Sequence, residues 1–523
     1  MKLSNLSRRS LLSGSAALLA PAAITADLFA QAPKSDGQPS AENKDKTASA
    51  KRPLRQTKTL VLEPSWTLVY ENGELELRSD HSVVLQDGHI ADIVSGPVRG
   101  LDDRLSMKGQ LLIPGMISGH THVAGGSCSR GLIESGRLWS GPLFAIEKLD
   151  DDDLDALTAY NLAEILRGGC TTQVEQSLSL KQMKSYVRVA RAWGVRGYPG
   201  GMVPGWSRLM PIWQRESDQV LFDSVPDTLA EIQENLEFGL SINGAEDGRI
   251  LPMMAPQGPE THTPETLRAV VEAAKQLGNG IHTHLATMVE DVGKMERLWG
   301  KGPVQWLDEF GFYDMPFFGA HLGGWNAKRD APFLGARKKF TYCHCPSGAG
   351  AGGPAITQPF IHALAAGINT NVGLDTHSND MLENAKLAVL YGRLRHDLAA
   401  DGDIPGRRPT VWDMIKCVTL NPANGLGRSD LGRISVGAKA DLTSIDVSGF
   451  FVGPGTAPPE PLNNLLYASG LHVRNVMTEG VVQVRDGHLV VDDERKVIER
   501  GGAVAREIWA QLRSEDWFTP TAR

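Results

Sequence analysis

The chain carries no excess of basic charge: 53 Lys and Arg stand against 61 Asp and Glu in 523 residues, a formal net charge of −8. Proteins that hold nucleic acid do so through basic patches or tails that neutralise phosphates, and neither is offered here. Cysteine is scarce. The five present (Cys128, Cys170, Cys343, Cys345, Cys417) are odd in number and irregularly spaced, which excludes a small disulfide scaffold and leaves them as buried thiols. A long uncharged apolar run is also missing. The mild apolar stretch from Leu11 to about Ile24 contains Ser, Gly and Pro and is too short to cross roughly 30 Å of hydrocarbon as a helix. What remains, 41% apolar and 22% charged, is the make-up of a soluble globular protein of enzyme size, long enough for more than one domain.

The N-terminus has its own texture. A basic start, the adjacent Arg8 and Arg9 in the frame S-R-R-x-L-L, the apolar stretch and an A-x-A site at Ala30 to Ala32 resemble a twin-arginine export signal over residues 1–32. That resemblance implies a periplasmic or exported protein with no integral membrane segment once the signal is removed. Residues 33–58, rich in Lys, Ser and Pro, read as a flexible leader. From Thr59 to Lys108 come short β-rich runs punctuated by the hairpin turns Asn72-Gly73 and Asp87-Gly88, and the same texture returns in "VRNVMTEGVVQVRDGHLVVDD" near the C-terminus. Segments 59–110 and 430–495 are therefore expected to pair into one composite β-sandwich domain, with a helical tail over 496–523.

Between these flanks, over 111–429, apolar strands alternate with amphipathic helical stretches such as "DLDALTAYNLAEILRGG" and "TPETLRAVVEAAKQLG", the rhythm of β-α units around a parallel sheet. Eight strand candidates fall near 111–122, 170–176, 194–198, 250–256, 280–285, 316–322, 339–345 and 368–375. Eight units argue for a closed (β/α)8 barrel, an α/β fold whose chemistry sits at the carboxyl ends of its strands.

Polar, ionisable residues end several of these strands. His120 and His122 in "SGHTH" are two apart, so an extended strand turns both to one side. His284 ends the fifth strand, His321 the sixth and Asp375 the eighth. Each is costly if buried alone, and one shared cation removes that cost. Three imidazoles, a carboxylate and an open water position suit zinc first and iron second; magnesium and calcium prefer oxygen shells.

At these residues the chain resembles the amidohydrolase superfamily, in the branch of chlorohydrolases and cytosine-, adenosine- and S-adenosylhomocysteine-deaminase-like enzymes. The markers are "LLIPGMISGHTH", "EILRGGCTT", "IHTHLAT", "CHCPSGAG", "AGINTNVGLDTHSND" and "LNPANGLGRSDLGRISVGAKADLTSID", and the resemblance covers nearly the whole mature chain, residues 80–495. The resemblance implies a distorted (β/α)8 barrel flanked by the composite β-sandwich, with His120, His122, His284 and Asp375 as metal ligands. It gives His321 a place beside the metal water or the substrate, and it implies a homo-oligomer, since such relatives are commonly dimers or larger. No Lys occurs in the fourth-strand candidate "ILPMMAPQ", so the bridging carboxylated lysine of two-metal members has no source and one divalent metal is expected.

Two departures from that branch stand out. The proton-shuttling Glu of its H-x-x-E pattern is Thr287 here, and the substrate-binding His after its fourth strand is Gln257. Aromatic-ring deamination loses its usual acid, while metal-water chemistry keeps its ligands. The reading is an exported mononuclear amidohydrolase that cleaves an amide, carbamate, urea or amidine C–N bond in a small, aromatic or hydrophobic substrate. Asp375 serves as proton carrier and His321 as electrophile polariser. Gln257, Thr287, Trp206, His377 and Asn379 are candidates for substrate contact, Trp206 through a Gly- and Pro-rich lid that also holds Met210 and Trp213. His282 is expected to point away from the site, and Cys343, His344 and Cys345 to serve packing. The alternatives are a heterocycle deaminase using Glu175 or Glu290 as its acid, and a catalytically inactive metal-binding paralogue. Replacing Arg8-Arg9 by Lys-Lys is expected to strand the chain in the cytoplasm, whereas unaltered export of that variant in a fractionation assay would remove the twin-arginine reading.

Overall fold

The computed structural model describes residues 59–515 apart from 102, 127, 129, 131–139, 214–216, 351–357 and 399–404. The segments read as an export signal and a leader, and the last residues of the C-terminal tail, lie outside the described residues. Five strands come first: β1 (Leu60–Glu71), β2 (Glu74–Ser79), β3 (His81–Gln86), β4 (His89–Ser95) and β5 (Arg104–Pro114). Eight follow along the middle of the chain: β6 (Met116–Thr121), β7 (Cys170–Ser177), β8 (Arg196–Val203), β9 (Ala255–Pro256), β10 (Ile281–Leu285), β11 (Phe317–His321), β12 (Phe340–His344) and β13 (Thr370–Val372). Four close the series: β14 (Leu442–Asp446), β15 (Val473–Thr478), β16 (Val481–Arg485) and β17 (His488–Leu489).

The middle strands form two parallel four-stranded arcs, β6-β7-β8-β9 and β10-β11-β12-β13. Single parallel bridges stitch the arcs at both seams, Met254 to Ile281 and Thr121 to Asp375. The result is a closed, distorted (β/α)8 barrel. Its strands are buried on both faces, as parallel strands wrapped by helices must be, and every residue of β6, β7, β8, β11 and β12 is buried. The covering helices have ordinary local causes. The helix Pro264–Leu277 starts at a Thr263 capping box with Pro at its first turn, buries Leu267, Val270, Val271, Ala274 and Leu277, and stops at Gly278 in the left-handed region.

The first and last strands build a nine-stranded sheet in the order β17-β16-β15-β14-β5-β1-β3-β4, with β2 paired to β1. Residues from both flanks meet where β14 runs antiparallel to β5, Leu442 opposite Pro114. The apolar run read as one strand over 111–122 is two. It belongs to this sheet as far as Pro114 and to the barrel from Met116, because the chain must turn from one sheet to the other at Gly115. A Cβ at Gly115 would lie 2.3 Å from Thr171 Oγ1, so only glycine fits that corner. The helix Glu494–Ser514 buries Val497, Val504, Ile508 and Leu512. Among the described residues no helix is long and apolar enough to cross a membrane.

A buried ion network joins barrel to flank. Arg196, fully buried at the start of β8, donates from Nε to Asp441 Oδ2 at 2.7 Å and from Nη2 to Glu479 Oε1 at 3.2 Å, while Arg249 and Lys439 also pair with Glu479. The opposite charges outweigh burial and hold the Glu479 carboxyl down at about 2. Removing one partner of such a pair leaves an uncompensated buried charge, typically about 3–5 kcal/mol. Arg196→Leu is therefore expected to lower the unfolding free energy from denaturant titration by that order, and an unchanged midpoint would show that the network carries no stability.

Candidate functional site

His120 is the fifth residue of β6, and His122 lies one residue past its end. His284 lies on β10, His321 ends β11, and Asp375 follows β13. Barrel closure brings them to one place. The His120 ring centroid is 4.8 Å from that of His122, 4.9 Å from His284 and 5.1 Å from His321. Asp375 completes the group, with Oδ1 3.8 Å from His122 Nε2 and Oδ2 4.0 Å from His321 Nε2. Two sets of donor atoms lie within 4.8 Å of one another, His120 with His284 and His321, and His120 with Cys345 and Asp375. His321 and Asp375 hold φ of 80° and 58°. Non-glycine residues adopt the left-handed region at a cost that the surrounding fold must impose, and here it re-aims two side chains at strand ends.

The outer nitrogens are held by hydrogen bonds. His122 Nδ1 donates to the Gln176 carbonyl at 2.5 Å and His284 Nδ1 to the Gln257 carbonyl at 2.7 Å. A carbonyl accepts only, so each ring keeps its proton on Nδ1 and offers a lone pair at Nε2. His120 Nδ1 meets His282 Nε2 at 2.7 Å, and His120 Nε2, fully buried, has no hydrogen-bond partner among the described residues. An orphaned imidazole nitrogen beside neutral donors and one carboxylate is the arrangement a divalent cation satisfies, so the donor set fits a metal.

Burial lowers every ring's basicity: His120 well below the ordinary range, His122 and His321 below it, and His284 to about 3. For Asp375 burial pushes upward, but in acid the charged forms of the His321, His377, His122 and His284 rings prevail and hold it at about 2. The pocket is one of neutral rings around a single carboxylate.

His282 corrects an expectation. It does not point away from the site: its ring centroid is 4.9 Å from that of His120. His282 and His284 are two residues apart, and the two-residue period of a strand puts them on the same face; that period was the available signal. Cys343 and Cys345 are buried, Cys343 Sγ bonding to the Gly119 carbonyl, but Cys345 also stands among the donors around Asp375. The remaining candidates scatter. Gln257 is buried, and its Oε1 has no partner among the described residues; Thr287 lies in the loop after β10. Trp206 is packed in an apolar cluster with Leu143, Leu178, Leu209 and Val504, and the strand before it, β8, extends to Val203 rather than ending near 198. Asn379 donates to Asn161 and Glu164. His377, Asn379 and Ser347 line an open cavity of about 620 Å³. Glu175 turns both oxygens to the Val123 N–H at 3.1 Å and takes the Ser177 hydroxyl, and burial raises it to about 8. Glu290 is exposed.

The chain matches the amidohydrolase family over residues 111–482. It is 27% identical over 464 residues to a 5'-deoxyadenosine deaminase of Methanosarcina mazei, covering 87% of this chain and 99% of that protein. It is 28% identical over 440 residues to a 5-methylthioadenosine/S-adenosylhomocysteine deaminase of Haloarcula marismortui, covering 82% and 94%. Among solved structures it resembles an adenosine deaminase from Xanthomonas campestris with bound zinc, at TM-score 0.68, 20% identity and coverage of 87% and 98%. An atrazine chlorohydrolase from Arthrobacter aurescens complexed with zinc gives 0.70, 19%, 85% and 100%.

The depressed histidines have a sign for stability. Their folded pKa lies below the unfolded value near 6.5, so between the two the unfolded chain binds more protons and stability falls as pH drops. With His284 and His344 both lowered to about 3, going from pH 6.5 to 5 is expected to cost about 2 kcal/mol for each such ring. The urea midpoint of the metal-free protein should fall over that interval, and a flat profile would mean these rings are not held neutral.

Proposed function

The chain belongs to the amidohydrolase family and is a metal-dependent hydrolase of carbon–nitrogen bonds other than peptide bonds; from that premise we propose that it cleaves an amide, carbamate, urea or amidine bond in a small substrate. The observation that carries the reading is the orphaned Nε2 of His120 within a cluster of neutral imidazoles around Asp375. His120, His122, His284 and Asp375 would hold one divalent metal, zinc before iron, as their nitrogen-rich donor set favours and as the zinc-bound neighbours support. When bound, zinc supplies Lewis acidity and brings the pKa of its water down towards about 7.

The chain's own residues do the rest. Asp375, held ionised, takes the proton of the attacking water and hands it to the departing nitrogen. His321 polarises the electrophile and steadies the charge that develops on it. His377 and Asn379 line a cavity just past Asp375 in the chain, and Gln257 and Thr287 follow the ends of β9 and β10; these four are the candidates for substrate contact.

A second reading, deamination of a heterocycle, is favoured by the deaminase names of the relatives. It needs an acid where Thr287 stands. Glu175 is engaged by Val123 and Ser177, and Glu290 faces solvent, so neither supplies that acid in this arrangement. We further propose export by the twin-arginine route, on the Arg8-Arg9 frame, and self-association. The exposed stripe Leu390, Leu394 and Leu398 on one helix face supports the latter.

The test is metal analysis of the purified protein with a panel of amides, carbamates, ureas and amino-heterocycles. Turnover of the acyclic compounds is expected, and ammonia release from the heterocycles alone would replace this reading by deamination. On whichever substrate turns over, Asp375→Asn is expected to lower kcat by about 10²–10⁴-fold; full turnover with the metal retained would exclude Asp375 as proton carrier.

A further inference from the structure

Gln358 is nearly fully buried between the ends of β11 and β12, and its amide orientation is dictated by its neighbours. The Cys345 backbone N–H, which can only donate, lies 2.9 Å from Gln358 Oε1. The amide oxygen must therefore face it, and the nitrogen must face the other way. His344 Nδ1 is 2.8 Å from the same Oε1, so that ring carries its proton on Nδ1 and donates. On its other side, Gln358 Nε2 faces His321 Nδ1 at 3.4 Å and the Cys345 carbonyl at 3.5 Å. A donor that faces Nδ1 makes it the acceptor, and the single proton of the neutral His321 ring falls on Nε2. That is the nitrogen 4.0 Å from Asp375 Oδ2.

His122 and His284 are the reverse case. Carbonyl oxygens hold their Nδ1 protons and leave Nε2 as a bare lone pair. The rings crowd together within about 5 Å, yet their outer partners sort them into two kinds: those that present a lone pair to the centre and one that presents N–H. A lone pair binds a cation; an N–H does not.

We propose that Gln358 is a positioning residue that fixes His321 in its Nε2–H form, which keeps His321 out of the metal's ligand set and makes it a hydrogen-bond donor to the substrate's polarised atom. The inference rests on the hydrolase reading above and extends it by one residue. It also separates His321 from His120 and His284, with which it shares a set of close donor atoms.

The experiment is histidine 15N NMR on the full chain loaded with zinc, His321 being assigned by the signal lost in His321→Asn. The expected result is a protonated Nε2 and an unprotonated Nδ1 for His321, alone among the rings at the centre. In Gln358→Glu, which keeps the size but replaces the donor by an acceptor, His321 is expected to gain a proton on Nδ1. Zinc content should stay the same, and kcat should fall by about 10²-fold with KM changed by less than about threefold. A wild-type His321 protonated on Nδ1, or a zinc-dependent shift of its Nε2 like those of His122 and His284, overturns the proposal even if the variant does not fold. The NMR result needs no substrate. If the tautomer is as expected but no C–N hydrolysis is found, only the hydrolase reading fails; if hydrolysis is found with the opposite tautomer, only the role of Gln358 does.

Discussion

Everything at the centre of this molecule follows from one electrostatic shortage: imidazoles buried so deeply that they are neutral, gathered around a single carboxylate, with at least one nitrogen left unbonded. A protein interior does not tolerate such a group without compensation. The barrel creates the shortage by closing. Its two arcs meet where Thr121 bridges Asp375, and that seam carries the carboxylate to the histidines of β6. Carbonyl oxygens then settle where the protons go, so the backbone, as much as the side chains, determines what the centre can hold.

The periodic parts of this architecture are legible in the chain. The alternation of apolar strands and amphipathic helices gives the barrel, and the strand-end histidines with Asp375 give the cluster, because both follow from local spacing. What escapes is whatever depends on a contact between distant residues. The break at Gly115 is invisible in an apolar run, since it exists only because Thr171 fills the space a side chain would need. Gln358 lies thirteen residues from Cys345 in the chain, outside any recognisable spacing, and its role is set by a hydrogen bond across the fold. His282 was readable from the two-residue period, but the bond that gives it meaning, to His120, spans 162 positions. Trp206 reads as part of a lid because Gly and Pro surround it; in the fold Gly197, Pro199, Gly200 and Gly201 belong to a barrel strand and the ring packs in an apolar cluster.

The departures at Gln257 and Thr287 sit at the rim of the centre, whereas the grouping of His120, His122, His284, His321 and Asp375 is undisturbed. That division lets one scaffold change what it acts on without changing how it acts. The buried ion network at Arg196 belongs to neither part. It ties the first residue of a barrel strand to the flanking sheet, so the frame around the centre is braced from outside the barrel.

The corner at Gly115 has a consequence for how the chain is made. Because β5 in the flanking sheet passes into β6 of the barrel through a single residue, and because β5 pairs with β14 more than three hundred positions later, the sheet that anchors the entry to the barrel stays incomplete until the last sixth or so of the polypeptide exists. A ribosome must release nearly the whole product before the frame can lock. A clone cut to the barrel alone would keep β6 paired with β7 but lose the flanking sheet from which the chain enters it.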